Sequence, residues 1–424
     1  MNKINVLIFP AGEINSVELH DALSYCVNIK VFGASSVDRH GEYIFENYIS
    51  GLPFISSEIF IDVFNSILTK NNIDIIFPTH DTVAEFLSEN SEKIRSKIIV
   101  ADRYTARICR DKKATYELFK EDFFCPKIYD CISELPVFIK PRLGQGSVGA
   151  KLIENRSDIP SGINLDNYVI CEYLPEDEFT VDCITDSNGI LKSVLPRSRK
   201  RILAGISVSG KNETLTTEIE EIAQRINEKL TFRGLWFFQI KQDSQGQFKL
   251  LEISARCAGT MCLSRAMGVN LPLLSVYVAM DQPISIIKNN YNLTLDRTLI
   301  SRYKADFTYE IVYCDYDDTL VLNDRVNLML ICFLYQCKNK NIKIILITKH
   351  SHNPEESLKK YSICEELFSS IIHLEEYQEK SDYINPCNAI FIDNSFKERD
   401  KVFKKYGIPV FDVDAVEVLL DWRI

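Results

Sequence analysis

Residues 234–260, GLWFFQIKQDSQGQFKLLEISARCAGT, combine two strand-like runs with a turn between them. The triplet SQG at 244–246 separates the two runs and favours a β-hairpin. Glu252 and Arg256 lie on or just after the second strand. With the strand-like segments YVICEYL and EFTVDCIT upstream, the hairpin predicts an α+β region between about residues 100 and 300.

On both sides of this region, short apolar runs alternate with segments of helical character. They begin at residues 4, 29 and 73 before it, and at residues 311, 343, 370 and 389 after it. Such alternation is typical of a parallel sheet covered by helices. The chain is therefore predicted to be an α/β multidomain protein with domains at 1–100, 101–300 and 308–424.

Composition narrows the classes of function. The 424 residues are 46% hydrophobic and 25% charged, as in ordinary globular proteins, and the net charge of -10 argues against a nucleic-acid partner. The N-terminus has too short an apolar stretch for a signal peptide, and no segment is long enough to span a bilayer, so we expect a cytoplasmic protein without a membrane partner. The 13 cysteines show no CxxC spacing and are interpreted as reduced core residues.

A glycine-rich segment, VFIKPRLGQGSVGAK at 137–151, is a candidate phosphate-binding loop. Gly144, Gly146 and Gly149 fall within six residues, and Lys140 precedes them. Glycines let backbone N–H groups approach phosphate oxygens, and the lysine supplies charge to the same anion. An ordinary glycine-rich hairpin would show the same pattern, so both interpretations stay open at this point.

Several segments, taken in order, resemble the ATP-grasp superfamily, especially the carbamoyl-phosphate-synthetase-like carboxylate ligases. The resemblance runs from residue 1 to about 290 and is carried by CRDKKATYELF, VFIKPRLGQGSVG, CEYLPEDEFTVD, VLPRSRKRI and above all by GLWFFQIKQDSQGQFKLLEISARCAGTMCLSRAMGVNLP at 234–272. It implies a Rossmann-like pre-ATP-grasp domain at 1–100 and an ATP-grasp domain at 101–300. It also implies Mg-ATP, small-molecule carboxylate and amine substrates joined through an acyl phosphate, and a homodimer.

The resemblance also implies a role for each matching residue. Lys112 or Lys113, together with Lys140, would hold the ATP phosphates, and a loop of Gly144, Gln145, Gly146 and Ser147 would cover them. The adenine would lie in a pocket formed by Glu172, Tyr173 and Leu174, and Glu178 would bind the ribose. Gln239 and Glu252 would hold magnesium, and Arg256 would face the transferred phosphoryl group. Ser254 departs from the family pattern, because many relatives have an asparagine metal ligand there.

The basic run PRSRKR contains Arg197, Arg199 and Arg201. Alternating side chains on one strand project to the same side, and the ATP-grasp resemblance implies that this side faces the cleft, so we predict that the three arginines contact an acceptor or a phosphate. A solvated face is the alternative. The loops FPAGEINS (9–16) and FPTHD (77–81) follow strands and are predicted either to help bind the acceptor or to form plain turns.

A second acidic site is predicted near residue 315. In IVYCDYDDTLV, Asp315 and Asp317 follow an apolar strand, and the later segments IILITKH, QEKSDYI and AIFIDNSFKERD supply Thr348, Lys380 and Asp393. In this order the segments resemble the four motifs of the haloacid dehalogenase (HAD) superfamily. The resemblance implies an uncapped phosphatase-like domain with the following roles: Asp315 as nucleophile, Asp317 as general acid/base, Thr348 and Lys380 at the phosphoryl oxygens, and magnesium held by Asp315, Asp317 and Asp393. Asn394 stands where aspartate is commoner, and His350 and His352 are interpreted as loop residues.

The sequence thus predicts a bifunctional enzyme in which an ATP-grasp carboxylate–amine ligase is fused to a HAD-type phosphatase. The phosphatase would act on a phosphorylated acceptor or on the coupled product. Two alternatives stay open: an ATP-grasp kinase or carbamoyl-phosphate-type activity without an amide product, and a nucleotide-regulated binding protein. Ser254 and Asn394 are the departures that keep the binding protein in consideration.

Overall fold

The computed structural model describes residues 3–37, 40–144, 146, 148–160, 162–203 and 205–423. The chain divides into two compact units, one ending at Leu299 and the other running from Ile300 to Arg423. The predicted domains 1–100 and 101–300 share the larger unit. The predicted domain 308–424 corresponds to the smaller one.

The larger unit begins with a five-stranded parallel sheet. Its elements are β1 (Ile4–Phe9), α1 (Ile14–Leu23), β2 (Ile29–Ala34), β3 (Asn47–Ile49), α2 (Phe60–Lys70), β4 (Ile75–Pro78), α3 (Asp81–Glu89) and β5 (Lys97–Ile98). The strand order is β3-β2-β1-β4-β5. Strand β1 is apolar from Val6 to Phe9, where both of its faces are buried: Val6 and Ile8 pack in one core, and Leu7 and Phe9 in another. The parallel sheet predicted here is confirmed.

The middle of the chain is antiparallel, as predicted. Its elements are α4 (Arg103–Arg110), α5 (Lys112–Phe119), β6 (Ile128–Tyr129), β7 (Val137–Pro141), β8 (Lys151–Ile153), β9 (Tyr168–Glu172), β10 (Glu178–Thr185), β11 (Leu191–Ser198), β12 (Arg201–Leu203), β13 (Ile206–Lys211), α6 (Thr217–Lys229), β14 (Gly234–Gln242), β15 (Phe248–Ser254), α7 (Cys262–Ala266), α8 (Leu271–Ala279) and β16 (Thr294–Asp296). Two four-stranded sheets, β6-β9-β7-β8 and β11-β10-β14-β15, accompany a smaller sheet of β12, β13 and β16.

Strand β14 of the predicted hairpin joins two cores. Leu235 and Phe237 pack with the core shared with the parallel sheet, whereas Trp236 and Phe238 pack beneath α6. Trp236 is fully buried, stacks on Phe232 at 4.2 Å and donates its indole N–H to Thr185 Oγ1 at 2.9 Å. The alternation of side chains along the strand explains the apolar run, and it turns the next odd-numbered residue, Gln239, to the same face as Phe237.

The smaller unit is a doubly wound parallel sheet, as predicted. Its elements are β17 (Ile311–Cys314), β18 (Val321–Leu322), β19 (Arg325–Val326), α9 (Leu328–Asn339), β20 (Lys343–Thr348), α10 (Pro354–Lys360), β21 (Ser370–His373), β22 (Ala389–Ile392), α11 (Phe396–Tyr406) and β23 (Val410–Phe411). The strand order is β21-β20-β17-β22-β23. Because β17 lies between β20 and β22, the carboxyl ends of these three strands meet at one edge of the sheet.

Two sequence expectations concern the whole chain. Within the described ranges, no helix has both the length and the apolar character needed to cross a membrane. The thirteen cysteines form no disulfide, but four of them, Cys131, Cys332, Cys364 and Cys387, are exposed. The prediction that the cysteines are core residues is therefore wrong for these four: Cys332 lies on the exposed side of α9, and the other three lie in exposed loops.

Candidate active sites

A cleft in the larger unit is lined by residues of both four-stranded sheets. It brings together most of the residues predicted to bind ATP: Lys112, Lys140, Gly144, Gly146, Glu172, Tyr173, Leu174, Glu178, Gln239 and Glu252. Lys113 is exposed and does not line the cleft, so Lys112 is the better choice of the predicted pair. Gln145 and Ser147 lie outside the described residues.

Two lysine side chains, Lys112 and Lys140, line this cleft. Lys140 on β7 is buried and donates to the Tyr116 hydroxyl and to the Leu251 carbonyl, the latter at 3.0 Å. Burial lowers the pKa of Lys140. Lys112 Nζ donates to the Gly144 carbonyl at 3.0 Å and lies 3.9 Å from a Glu252 carboxylate oxygen. This cationic wall beside the glycine-rich segment is suited to bind phosphate oxygens.

The cleft also has an apolar wall, of which the sequence motifs predicted only Leu174. The other apolar side chains that line it are Phe138, Val148, Cys171 and Leu251. Apolar lining with a few placed polar groups is typical of a pocket that buries a planar ring.

A β-bulge places the predicted magnesium ligands. Gln239 on β14 pairs with Glu252 on β15, and the register shifts by one residue immediately afterwards, where Ile240 pairs with Leu250. As a result Leu251 and Glu252 both face the cleft although they are consecutive. Gln239 and Glu252 offer oxygen donors, the ligand type that magnesium prefers, so these residues fit the implied ion.

A second cleft shares Gly146, Gln239 and Glu252 with the first. Gly205 also lines it, and a Cβ added there would lie 2.1 Å from the Gly146 carbonyl oxygen, so the two loops touch where the clefts meet. The two loops that follow strands of the parallel sheet contribute Glu13, Ile14, Asn15 and Asp81. Both loops predicted to help bind an acceptor therefore reach this cleft.

The prediction that three arginines project from one strand is wrong, because β11 ends at Ser198 and only Arg197 lies on it. Arg199 follows the strand, and Arg201 begins β12, where it pairs with Asp296 at 2.7 Å in solvent. Arg197 and Arg199 do line the second cleft. The structure pairs each of these with a carboxylate, because burying an isolated charge is costly.

Arg197 and Arg199 each lie within hydrogen-bond distance of a carboxylate. Arg197 donates to both carboxylate oxygens of Asp182, at 2.9 and 3.0 Å, and also to the Thr260 hydroxyl. Arg199 lies 2.8 Å from Glu178. Burial lowers the pKa of Arg199, opposed by the carboxylate of Glu178. Glu178, predicted at the ribose, thus also serves as a partner for this arginine.

Arg256 and Ser254 are both bonded to Asp81. Arg256 donates from Nε at 2.7 Å and from Nη2 at 2.9 Å, and the Ser254 hydroxyl lies 2.8 Å from the same carboxylate. Arg256 lines the second cleft, as its predicted role requires, whereas Ser254 lines neither cleft. Ser254, which stands where many relatives have an asparagine metal ligand, thus donates to Asp81 and does not line the clefts that Gln239 and Glu252 share.

In the smaller unit, the predicted residues Asp315, Thr348 and Asp393 meet at the carboxyl edge of the sheet. Lys380 Nζ lies between the two carboxylates, 2.6 Å from Asp315 and 2.7 Å from Asp393. Burial would lower the pKa of Lys380, but the charges of Asp315 and Asp393 outweigh it and raise that pKa. Thr348 is fully buried, and its hydroxyl accepts from the backbone N–H of His350 at 3.1 Å.

Asp317 departs from the predicted magnesium set. Its carboxylate lies 2.8 and 3.0 Å from His350 Nδ1, and His350 Nε2 lies 2.8 Å from the Ser357 hydroxyl. Across the described ranges, no three His, Cys, Asp or Glu side chains gather as a metal site. The carboxylate cluster was expected to require a metal cation, but Lys380 already supplies a positive charge between Asp315 and Asp393. The carboxylates of Asp315 and Asp393 therefore fit the implied magnesium ion, whereas that of Asp317 is bonded to His350.

Two further motif residues of the smaller unit have defined contacts. His350 lies in the loop after β20, as interpreted, and contacts Asp317 directly. Asn394 accepts from the Thr319 hydroxyl at 3.3 Å and donates its backbone N–H to the same hydroxyl at 3.0 Å. The asparagine thus fixes the loop that follows Asp315.

Comparison with known proteins supports the ATP-grasp resemblance. Residues 164–298 match the family described as "ATP-grasp in the biosynthetic pathway with Ter operon". The 3-methyl-D-ornithine–L-lysine ligase of Methanosarcina barkeri is 27% identical over 154 residues, which is 36% of this chain and 41% of that protein. The chain thus matches about two fifths of the length of this curated relative.

Solved structures show the fold. Biotin carboxylase of Campylobacter jejuni has a TM-score of 0.57 and 17% identity, covering 68% of this chain and 74% of its own. The L-amino acid ligase of Bacillus licheniformis has a TM-score of 0.53 and 14% identity, covering 67% of this chain and 75% of its own. The chain contains a mixed α/β ATP-grasp fold.

Proposed function

We propose that the larger unit is an ATP-dependent ligase that joins a carboxylate to an amine. The observation that carries this proposal is the junction of two clefts at Gly146, Gln239 and Glu252. One cleft has the cationic and apolar walls that suit a nucleotide. The other has room for a substrate next to the position where the terminal phosphate would lie.

In the proposed reaction, a substrate carboxylate attacks the γ-phosphorus of ATP, and ADP leaves with the electrons of the broken P–O bond. An amine then attacks the acyl phosphate, and inorganic phosphate leaves as the amide forms and the amine loses a proton. Lys112 and Lys140 hold phosphate oxygens, and Arg256 faces the transferred group. Magnesium, held by Gln239 and Glu252, would neutralise charge on the phosphates.

We further propose that at least one substrate is an amino acid. The curated relative is named as a ligase of 3-methyl-D-ornithine and L-lysine, and one similar structure is an L-amino acid ligase. These names support the substrate class, but the curated match covers only part of that relative. The second cleft has the mixed acidic and basic lining that suits a zwitterion: Glu13, Asp81, Arg197, Arg199 and Arg256.

For the smaller unit we propose phosphate-monoester hydrolysis. The observation in favour is the buried group of Asp315, Lys380 and Asp393 at the carboxyl edge of a doubly wound sheet. Asp315 would attack the phosphorus and release the alcohol, which gains a proton from Asp317. Water would then hydrolyse the aspartyl phosphate. The two units would catalyse consecutive steps, with the phosphate removed from the amine partner or from the coupled product.

The test uses a D315N variant, so that hydrolysis by the smaller unit does not contribute to the phosphate measured. The variant is given Mg-ATP with pooled amino acids and amines, and products are identified by mass spectrometry. ADP together with a mass equal to two partners less water supports the ligase. ADP without a joined product favours a kinase or carbamoyl-phosphate-type activity, and ATP binding without turnover favours a nucleotide-regulated binding protein.

Coupling between the two steps needs a separate test with the wild-type chain. One acceptor is supplied in phosphorylated and unphosphorylated forms, and mass spectrometry follows the joined product and the loss of the phosphate ester from acceptor or product. Preferential ligation of one form, or loss of the ester phosphate, supports consecutive reactions. Equal ligation of the two forms, with the ester phosphate retained in acceptor and product, would contradict the coupling.

A further inference from the structure

Asp81 lies at the start of α3, directly after the strand β4, and belongs to the parallel sheet rather than to the ATP-grasp strands. Its carboxylate nevertheless reaches the end of β15, where it meets Ser254 and Arg256. Arg256 lies 175 residues away in sequence. The contact therefore joins a loop of the first sheet to the strand that carries Glu252.

The hydrogen bonds of Arg256 leave a defined part of the guanidinium available. Nε and Nη2 each donate to Asp81, and Nη1 donates to the Cys257 carbonyl at 3.0 Å. A guanidinium has five N–H donors, so one N–H on Nη1 and one on Nη2 remain. The guanidinium carbon also lies 5.4 Å from the ring centroid of Phe237, which fixes a face of the group.

The charge state of the pair is settled by its surroundings. Burial would raise the pKa of Asp81, but the charge of Arg256 and hydrogen bonds from Arg256 and Ser254 outweigh it and lower that pKa to about 2. The carboxylate is thus ionised at neutral pH. Ser254 stabilises this carboxylate instead of facing the nucleotide cleft.

We propose that Asp81 is a positioning residue of the ligase site. It holds Arg256 so that the two remaining N–H groups, one on each Nη, are presented to the transferred phosphoryl group or to the substrate carboxylate. Ser254 is the second donor that fixes Asp81, and it does not act as a magnesium ligand. This inference rests on the proposed function, since it assigns a geometry to the Arg256 of that site.

Chemical rescue tests the proposal. In R256A, added guanidinium ion is expected to dock against Asp81 and to restore ligation by about 10-fold. In the double variant R256A/D81N the same ion should restore nothing, because the carboxylate that orients it is gone. R233A is the matched control: Arg233 forms an exposed pair with Asp281 away from both clefts, and guanidinium should leave its activity unchanged. Equal rescue of the single and double variants would overturn the proposal.

A second measurement applies if R256A does not fold. D81N keeps the side-chain size and one accepting oxygen, and we expect its kcat to fall about 10- to 100-fold while KM for ATP changes less than about 2-fold. S254A should need the same magnesium concentration as wild type, and Mn²⁺ titrated into the ADP complex should bind with unchanged stoichiometry. An unchanged kcat in D81N, or a lost Mn²⁺ ion in S254A, would contradict the inference.

Failure of the proposed function gives a different result. If wild type forms no joined product, the ligase assignment fails. Guanidinium binding to R256A, measured as a thermal shift without substrate, still tests the docking. A shift in R256A that is absent from R256A/D81N supports Asp81 as the orienting group, and equal shifts in the two variants overturn it.

Discussion

Replacing Arg197 by alanine tests whether this arginine acts as a substrate contact or as a buried structural partner. Arg197 is 2% exposed and Asp182 is fully buried. Besides Arg197, the Asp182 carboxylate accepts from the Ser264 hydroxyl at 3.0 Å. R197A removes both guanidinium donors and leaves a charged carboxylate in the core.

The expected loss of stability follows from that burial. Removing one partner of a buried ion pair costs about 3–5 kcal/mol, because the remaining charge is no longer compensated. At about 2 °C per kcal/mol for a large unit, the melting temperature should fall by about 6–10 °C. The exposed pair of Arg201 and Asp296, with side chains 60% and 67% exposed, should contribute at most about 1 kcal/mol.

The assay can follow the larger unit alone. The chain has two tryptophans, Trp236 in the core of the larger unit and Trp422 in the smaller unit. In a W422F background, the emission of Trp236 during urea unfolding reports the larger unit. R197A, R201A and the apolar double variant R197M/D182L are compared at equal protein concentration.

Two outcomes decide the reasoning. R197A should unfold at clearly lower urea than R201A, and R197M/D182L should recover much of the difference because neither charge remains unpaired. If R197A is no less stable than R201A and only its substrate KM rises, then Arg197 is a substrate contact and the structural role is refuted.

Three further predictions follow from the other sites. K112A should lower ADP formation by about 10-fold or more, whereas K113A should leave it within about 2-fold, as measured by coupled ADP release. H350A should slow the hydrolysis of an alkyl phosphate by about 10-fold or more, and that of p-nitrophenyl phosphate far less. The reason is that an alkoxide is a poor leaving group and needs the proton that Asp317 donates, whereas p-nitrophenolate leaves without it. Equal losses with the two substrates would contradict the proposal that His350 acts through Asp317. Because the pKa of Asp81 falls from 3.8 to about 2 on folding, its ionisation stabilises the fold by about 2 kcal/mol above pH 4, and that stability is lost as pH falls towards 2. D81N should therefore be less stable at neutral pH and lose less stability on acidification, as measured by urea melts from pH 6 to pH 2.5; identical pH dependence would argue against the ion pair.

Local patterns in the sequence were sufficient for the elements that carry the sites. The alternation of apolar runs predicted both parallel sheets, and the SQG turn predicted the β14–β15 hairpin that carries Gln239 and Glu252. These features depend on side-chain periodicity and turn chemistry within a few residues, which a sequence displays directly. The β-bulge that turns Leu251 and Glu252 to one side has no such local signal.

The choice between adjacent residues needed the packed structure. Successive residues on a helix point about 100° apart, so only one of Lys112 and Lys113 faces the cleft, and the packing of α5 decides which. The sequence also shows the three arginines as one basic run. Because β11 ends at Ser198, Arg201 belongs to β12, which is part of the small sheet of β12, β13 and β16.

The sequence by itself determined the order of the elements, and it supplied the two resemblances from which the chemistry of each site is proposed. Tertiary structure decided which side chains become partners: Arg256 contacts Asp81, Arg197 contacts Asp182, and Asp317 contacts His350. The physical reason is that these contacts join side chains that are far apart in sequence. A buried charge needs a compensating partner, and the fold, not the local sequence pattern, places that partner beside it.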